Sequence, residues 1–399
     1  MHEIFSRIEK AAPRLREAHQ EAEDLGRLPD ATAADLREIG VIRMLQTEEF
    51  GGYEADPGDF LDAVMRIAAV NGPAGWVSGV VGLHAWEVSQ MPIEVQKQVW
   101  GEDPDVWVAS PYTPIGRAVP TDGGYIFSGK WSFSSGTDHC SWIYLGGLRV
   151  LADGSTDTHE NALHFLLPRK DYEIVEGSWD VVGLAGTGSK DIVVDEVFVP
   201  HERVVALNDL FHGVQADRVG RGGQLYQMPY SAMFPGAITA ATIGLAMGAL
   251  DAFTEYESAR VISRRGAASR NVFHLATLAE AASDIEASRL QVLDDLRRVR
   301  DIVAADEEVS LQQRILLRRN QVRASRRAVD AVDALFRHAG GNALRRDQRM
   351  QRFWRDCHAA LNHVSNVGEP VYEGWGMQFF GHDVTGGLRV GPAHRVEHA

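Results

Sequence analysis

Apolar residues recur at helical spacing along the first hundred positions. Ile4, Ile8, Ala11, Leu15, Ala18 and Leu25 approximate one face of a helix, and Pro13 inside it predicts a kink. Asp30 is the expected N-cap of a short helix that Gly40 ends. Two more helices are expected near 59–70 and 74–89. From about residue 106 to 205 the period shortens to two. Asp122-Gly123-Gly124 is a hairpin signal. Strand-like runs at Tyr125–Phe127, Trp131–Ser134, Trp142–Leu145, His164–Leu167 and Ile192–Val194 predict a middle β domain of barrel or sandwich type. Helical spacing then returns. Ala279 to Val303 and Leu311 to Arg337 are almost free of Gly and Pro, as antiparallel bundle helices are. The order α, β, α predicts an α+β multidomain protein divided at 1–105, 106–205 and 206–399.

Composition narrows the partners. The chain has 399 residues, 45% hydrophobic and 24% charged, so it is globular and long enough for more than one core. Forty basic against 55 acidic residues give a net charge of −15, which argues against nucleic-acid and anionic-membrane partners but leaves room for a local anion pocket. Cys140 and Cys357 are far apart in sequence and form no CxxC, so a reducing compartment is expected. No basic stretch followed by an apolar run opens the chain. The longest apolar run, Phe234 to Leu250, is interrupted by glycines and falls short of the ~20 residues that span a bilayer. A soluble, cytoplasmic protein with no membrane partner is expected.

The residues alone carry little recognisable chemistry. GxGxxG, GxxxxGK[ST], HExxH and GxSxG are all missing. His358 and His363 are five apart, about 140° around a helix, so they do not share a metal face and no metal is expected. On the strand Gly129 to Gly136, alternation puts Trp131 and Phe133 on one face and Ser132 and Ser134 on the other. That strand either offers hydroxyls to a flat polar heterocycle or is an ordinary half-buried strand. The Gly-rich segment Gly183 to Ser189 leads into a strand, not a helix, and reads as a tight turn. Gly340-Gly341-Asn342 reads either as an anion-binding turn or, slightly favoured, as a helix C-cap.

Leu28-Pro29, Gly51-Gly52 and the Gly129 to Ser135 strand resemble the acyl-CoA dehydrogenase fold. Several longer runs resemble, over nearly the whole chain, the oxygenase components of two-component flavin-dependent aromatic monooxygenases. They are Gly75 to Ser78, Val99 to Pro104, Ser134 to His139, Val182 to Leu184, Gly186 to Ser189, Ala279 to Ile285 and Gln351 to Asp356. The resemblance implies an N-terminal helical domain, a middle β-barrel and a C-terminal four-helix bundle, assembled as a homotetramer. It implies hydroxylation of a phenol- or indole-type ring through a C4a-hydroperoxyflavin. FMNH2, ahead of FADH2, would come from a separate NAD(P)H-dependent flavin reductase and react with molecular oxygen.

Carried over by position, the resemblance assigns the flavin to Trp76, to Ser110, Pro111 and Tyr112, to Phe133, Ser134 and Ser135, and to His363 and Val364. Arg260, Gly341 and Asn342 would hold its phosphate end, in part from a neighbouring subunit. Ser135 would donate toward flavin N5, and His84 and Tyr112 would line the substrate side. His363 matches the active-site base. A phenol of pKa near 10 costs about 4 kcal/mol to ionise at pH 7, and a neutral imidazole can take that proton. A rival resemblance, acyl-CoA dehydrogenation, is suggested by Tyr372-Glu373-Gly374. However, His363 occupies the place where that catalytic glutamate is expected after Arg355-Asp356, and Ala185 replaces the familiar Arg. The aromatics Trp375, Phe379 and Phe380 are either a pocket wall or a packed tail.

Overall fold

The N-terminal stripe folds as one helix, α1 (Glu3–Leu25), in the computed structural model, which describes residues 3–262 and 266–384. Its buried face runs through Ile4, Ile8, Ala11 and Leu15 and continues with His19 and Ala22, where Ala18 and Leu25 were expected. The helix passes unbroken through Pro13. Pro13 and Glu9 are both exposed, so water can satisfy the Glu9 carbonyl that the missing N–H leaves open. Helix α2 (Asp30–Ile39) begins one residue earlier than expected. Pro29 occupies its N-cap position, and Asp30 instead pairs with Arg27 at 2.8 Å. Gly40 ends α2 at φ +85. Helices α3 (Pro57–Val70) and α4 (Gly72–Val88) carry side-chain caps from Asp56 and Asn71. Every residue of α4 is buried, as suits a helix that is apolar all round. Helix α5 (Ile93–Trp100) follows.

Eight strands form one mixed sheet. They are β1 (Val108–Ala109), β2 (Gly116–Thr121), β3 (Gly124–Ser134), β4 (Trp142–Arg149), β5 (Leu163–Pro168), β6 (Glu173–Val175), β7 (Lys190–Pro200) and β8 (Val204–Ala206). Their order is β6-β7-β3-β2-β4-β5-β8, with β1 added on β4. Strands β1 and β2 run parallel to β4, and the other pairings are antiparallel. The expected barrel does not close: β6 and β8 are three residues each and end the sheet without pairing to one another. The predicted hairpin is present, with Thr121 opposite Gly124 and Gly123 at φ +75.

Apart from a two-stranded antiparallel ladder that pairs Val261–Ile262 with Gly266–Ala267, the regular elements that follow are helices: α6 (Leu207–Phe211), α7 (Gln215–Arg218), α8 (Tyr230–Ala259), α9 (Val272–Ala304), α10 (Leu311–Ala339), α11 (Arg349–Leu361) and α12 (Glu369–Phe379). Helix α8 is long and apolar enough to cross a membrane, but it is the centre of the core, packed on α3, α4, α9, α10 and α11. A Cβ on Gly244 would stand 2.5 Å from the Met65 carbonyl, so only glycine permits the α3–α8 contact. Helices α8 to α11 pack side by side. A Ser310–Gln313 capping box starts α10. Gly340, at φ +72, ends it, which is the C-cap reading of that turn.

Candidate functional site

A cavity of about 360 Å³ lies where α4, the sheet and the end of α11 meet. Buried α4 contributes Trp76, and the loop after β1 contributes Ser110, Pro111 and Tyr112. The end of β3 adds Ser132, Phe133 and Ser135, and α8 adds Phe234. His363 and Val364 close the wall beyond α11. Most residues assigned by resemblance therefore converge on one space.

The alternation expected on β3 does not hold at its end. The register against β7 shifts between Trp131 and Ser134, and Phe133 adopts φ +74, a left-handed conformation that costs a non-glycine residue about 1–2 kcal/mol. Trp131 turns into the core, where its indole N–H donates to the Gly146 carbonyl at 2.9 Å. Phe133, 69% exposed, swings instead to the cavity mouth, edge-on to Trp179 at 6.1 Å. Ser134 is fully buried and is not part of the wall.

Sequence reading missed another part of the wall. The segment read as a plain turn places Gly183, Leu184, Thr187 and Ser189 against the cavity. Leu184 is left-handed at φ +55, and a 3-10 turn, Ala185–Thr187, follows. The Gly136 N–H donates to the Thr187 carbonyl at 2.8 Å, which brings this turn to the end of β3. A chain of polar contacts results. The Trp76 indole N–H donates to Ser135 Oγ at 3.2 Å, Ser135 and Ser189 hydroxyls meet at 2.7 Å, Ser189 and Thr187 at 2.7 Å, and Thr187 donates to the Leu184 carbonyl at 2.7 Å. Hydroxyls directly beside glycines were the available signal, but their partner Ser135 lies 54 residues from Ser189.

Tyr112 presents its ring to the cavity and sends its hydroxyl away, donating to Glu87 at 2.5 Å. The other Glu87 oxygen accepts from His164 Nδ1 at 2.8 Å, and the His164 ring stacks on Tyr112 at 4.2 Å. Burial first, and then the adjacent Glu87, push the Tyr112 phenol well above its ordinary pKa. His84 does not line the cavity. It is buried edge-on behind Tyr112 at 5.3 Å with Nδ1 on the Val108 carbonyl, and burial pushes its pKa down to about 4.

His363 stands edge-on to Trp76 at 5.7 Å. It also caps the 3-10 turn Val364–Asn366: the Ser365 N–H donates to His363 Nδ1 at 3.1 Å. Nδ1 is therefore the acceptor nitrogen, and the neutral ring carries its hydrogen on Nε2.

Other assigned residues lie elsewhere. Arg260 and Asn342 border a separate open hollow, where Arg260 donates to Glu257 at 2.6 Å and to the His338 carbonyl at 3.0 Å, and Gly341 lies in the turn beside them. Trp375 packs beneath Arg319 at 4.3 Å, while Phe379 and Phe380 are exposed. None of these three aromatics forms the cavity wall, and only Trp375 fits the packed-tail alternative, because Phe379 and Phe380 stay exposed. Glu373 is exposed on α12 and also outside the cavity, so the dehydrogenase resemblance finds no base there.

Residues 237–367 match the family of the acyl-CoA dehydrogenase C-terminal domain. Over 389 residues the chain is 45% identical to a pigment production hydroxylase of Rhodococcus erythropolis, covering 98% of this chain and 99% of that one. It is 40% identical over 383 residues to the flavin-dependent monooxygenase oxygenase subunit HsaA of Rhodococcus jostii, covering 96% and 99%. The crystal structure of 3-HSA hydroxylase from Rhodococcus sp. RHA1 aligns with a TM-score of 0.92 at 40% identity, covering 97% and 99%. The chain belongs to the oxygenase subunits of flavin-dependent monooxygenases.

The cavity of this oxygenase subunit fits the flavin that its family uses. An isoalloxazine needs flat apolar contacts on its faces and hydrogen-bonding groups along its edge. Trp76, Phe133 and Trp179 would supply the first, and the hydroxyls of Ser110, Ser132 and Ser135 the second.

Proposed function

We propose that this oxygenase subunit inserts one oxygen atom into a small aromatic ring of phenol or indole type. The observation that carries the proposal is the cavity itself: hydroxyls (Ser135, Ser189, Thr187), aromatic rings (Trp76, Tyr112, Phe234) and His363 all line one space. Relatives are named for the same chemistry, including the FADH2-dependent resorcinol hydroxylase oxygenase component of Rhizobium, 31% identical over 395 residues. Bound reduced flavin, FMNH2 or FADH2 from a separate NAD(P)H-dependent reductase, supplies two electrons to dioxygen. One oxygen atom enters the ring and the other leaves as water.

The protein's part is to bind, orient and exclude water. Tyr112, fixed by Glu87 and His164, and Phe234 hold the ring by its edges and faces. A phenol reacts as its phenolate, whose formation at pH 7 costs about 4 kcal/mol. Because Ser365 holds Nδ1, His363 meets the phenol oxygen as an Nε2–H donor that stabilises the phenolate, instead of as the expected base. Val272, Phe273 and Leu275 at the start of α9, together with Leu344, are exposed apolar residues that suit burial in the proposed homotetramer.

The test supplies reduced FMN through a flavin reductase and NADH, with a panel of phenols and indoles, under isotopically labelled dioxygen. A hydroxylated product carrying one labelled oxygen is expected. Complete conversion of the dioxygen to peroxide with every substrate would refute the proposal.

A further inference from the structure

The hydroxyl chain leaves Ser135 no hydrogen to spare for the cavity. The Leu184 carbonyl can only accept, so the contact at 2.7 Å takes the Thr187 hydrogen. The Thr187–Ser189 contact at 2.7 Å then needs the Ser189 hydrogen, and the Ser189–Ser135 contact at 2.7 Å needs the hydrogen of Ser135. Three contacts use three hydrogens, and a single ordering satisfies them all. Trp76 Nε1–H occupies one lone pair of Ser135 at 3.2 Å, so what Ser135 can still offer the cavity is its other lone pair. Exposures of 6% for Ser135, 4% for Ser189 and 1% for Thr187 leave water little access to supply a substitute hydrogen. The far end of the chain is fixed by the fold: Leu184 is anchored through its own N–H to Asp356 at 2.6 Å.

We infer that Ser189 and Thr187 are positioning residues that make Ser135 a hydrogen-bond acceptor, and that they thereby set a preference for reduced over oxidised flavin. The inference rests on the proposed function, with the flavin lying against Ser135 by its N5 edge. Reduced flavin carries a hydrogen on N5, whereas oxidised flavin presents a lone pair there. An acceptor at Ser135 pairs with the first and opposes the second. The expected donation from Ser135 to N5 is thus reversed in direction. Neither Ser189 nor Thr187 needs to touch the flavin for this; each acts by holding a hydrogen in place.

Dissociation constants for oxidised FMN and, anaerobically, for dithionite-reduced FMN are measured by spectral titration of the intact protein and three variants. Ser189→Ala removes the acceptor of the Ser135 hydrogen, which then turns into the cavity. Thr187→Val removes the acceptor of the Ser189 hydrogen, which then fills the contact to Ser135 and also frees the Ser135 hydrogen. Each should lower the oxidised-to-reduced ratio of dissociation constants by about tenfold, one hydrogen bond's worth. Ser189→Thr, which keeps a hydroxyl, should restore the wild-type ratio. An unchanged ratio in both hydroxyl-deleted variants, with native circular dichroism, overturns the inference alone. A wild-type protein that binds neither form of FMN nor of FAD overturns the flavin reading and the inference together.

Discussion

The backbone N–H of Leu184 donates at 2.6 Å to Oδ1 of Asp356, tying the turn that walls the cavity to a helix 172 residues later. The approach is close: a Cβ on Gly183 would stand 2.4 Å from the Arg355 carbonyl. On its other side, Asp356 Oδ2 lies 3.5 Å from His19 Nε2, so α1, the turn and α11 meet at one buried carboxylate.

Asp356→Ala should therefore loosen the turn. Losing a buried, charge-assisted hydrogen bond costs about 1.5–3 kcal/mol, read as a lower melting temperature. Reduced-flavin affinity should fall with it, because Thr187 and Ser189 move with Leu184. Asp356→Asn keeps an acceptor oxygen and should lose less of both. Equal melting temperatures for the Ala variant and wild type would contradict this.

Phe133 gives a comparison of two variants. Phe133→Ala removes the ring but keeps a Cβ at φ +74, whereas Phe133→Gly removes both. The Gly variant should be more stable than the Ala variant by about 1 kcal/mol, the cost of a left-handed non-glycine residue less glycine's extra chain entropy. Both should bind flavin more weakly than wild type. Denaturant melts of the pair test the strain, and titrations test the ring.

Much of the fold was legible because its signals are local. The Asp122-Gly123-Gly124 turn dictates its hairpin with any partner, and the face of α1 follows from spacing as far as Leu15. The exceptions depend on residues distant in sequence. Phe133 leaves its predicted face because β7 pairs with β3 out of register there. Thr187 and Ser189 became site residues when the turn docked on the end of β3, and the Glu87–His164 pair spans 77 positions. The barrel was overread because strand count alone cannot say whether two short end strands meet. His363 was found by resemblance, but its hydrogen is assigned by a neighbour two residues on, which only the folded backbone reveals.

Acid should destabilise the fold through buried histidine. His84 ionises near 6.5 in the unfolded chain, but burial lowers its folded value to about 4. Its folded pKa is the depressed one, so the unfolded state takes up the proton first. Stability is complete well above pH 6.5 and is lost as pH falls through 6.5 towards 4, by about 2 kcal/mol in total at pH 5. His19 and His139, also lowered mainly by burial, act in the same direction. His84→Asn, which can still donate to the Val108 carbonyl, should flatten the fall of melting temperature over that range. An identical pH profile would show that His84 is not a source of the effect.

Tyr112→Phe separates anchoring from shape. It leaves the ring on the cavity wall and strips Glu87 of its 2.5 Å donor, leaving that carboxylate with His164 alone. Stability should fall by about 1.5–3 kcal/mol, while aromatic-substrate affinity should change less than in Tyr112→Ala. Binding titrations beside thermal melts distinguish the two effects.

In the proposed chemistry each nitrogen of His363 has its own job, and substitution can divide them. Nδ1 accepts the Ser365 N–H at 3.1 Å, and Nε2 carries the hydrogen that the proposed chemistry uses. An asparagine oxygen reproduces the cap and provides nothing at the position of Nε2. His363→Asn should therefore melt near wild type yet hydroxylate about 10²–10⁴-fold more slowly, the usual worth of a positioned proton donor or acceptor. His363→Ala should lose that rate and also about 1 kcal/mol of stability with the cap. The pH dependence of product formation decides between a donor and a base. A donor needs Nε2 protonated, which holds for both the neutral tautomer and the cation, so the rate should show no fall on the acid side attributable to this residue. A base must be unprotonated at Nε2, and a rate that dropped in acid in wild type but not in His363→Asn would restore the base role and refute the tautomer assigned by Ser365.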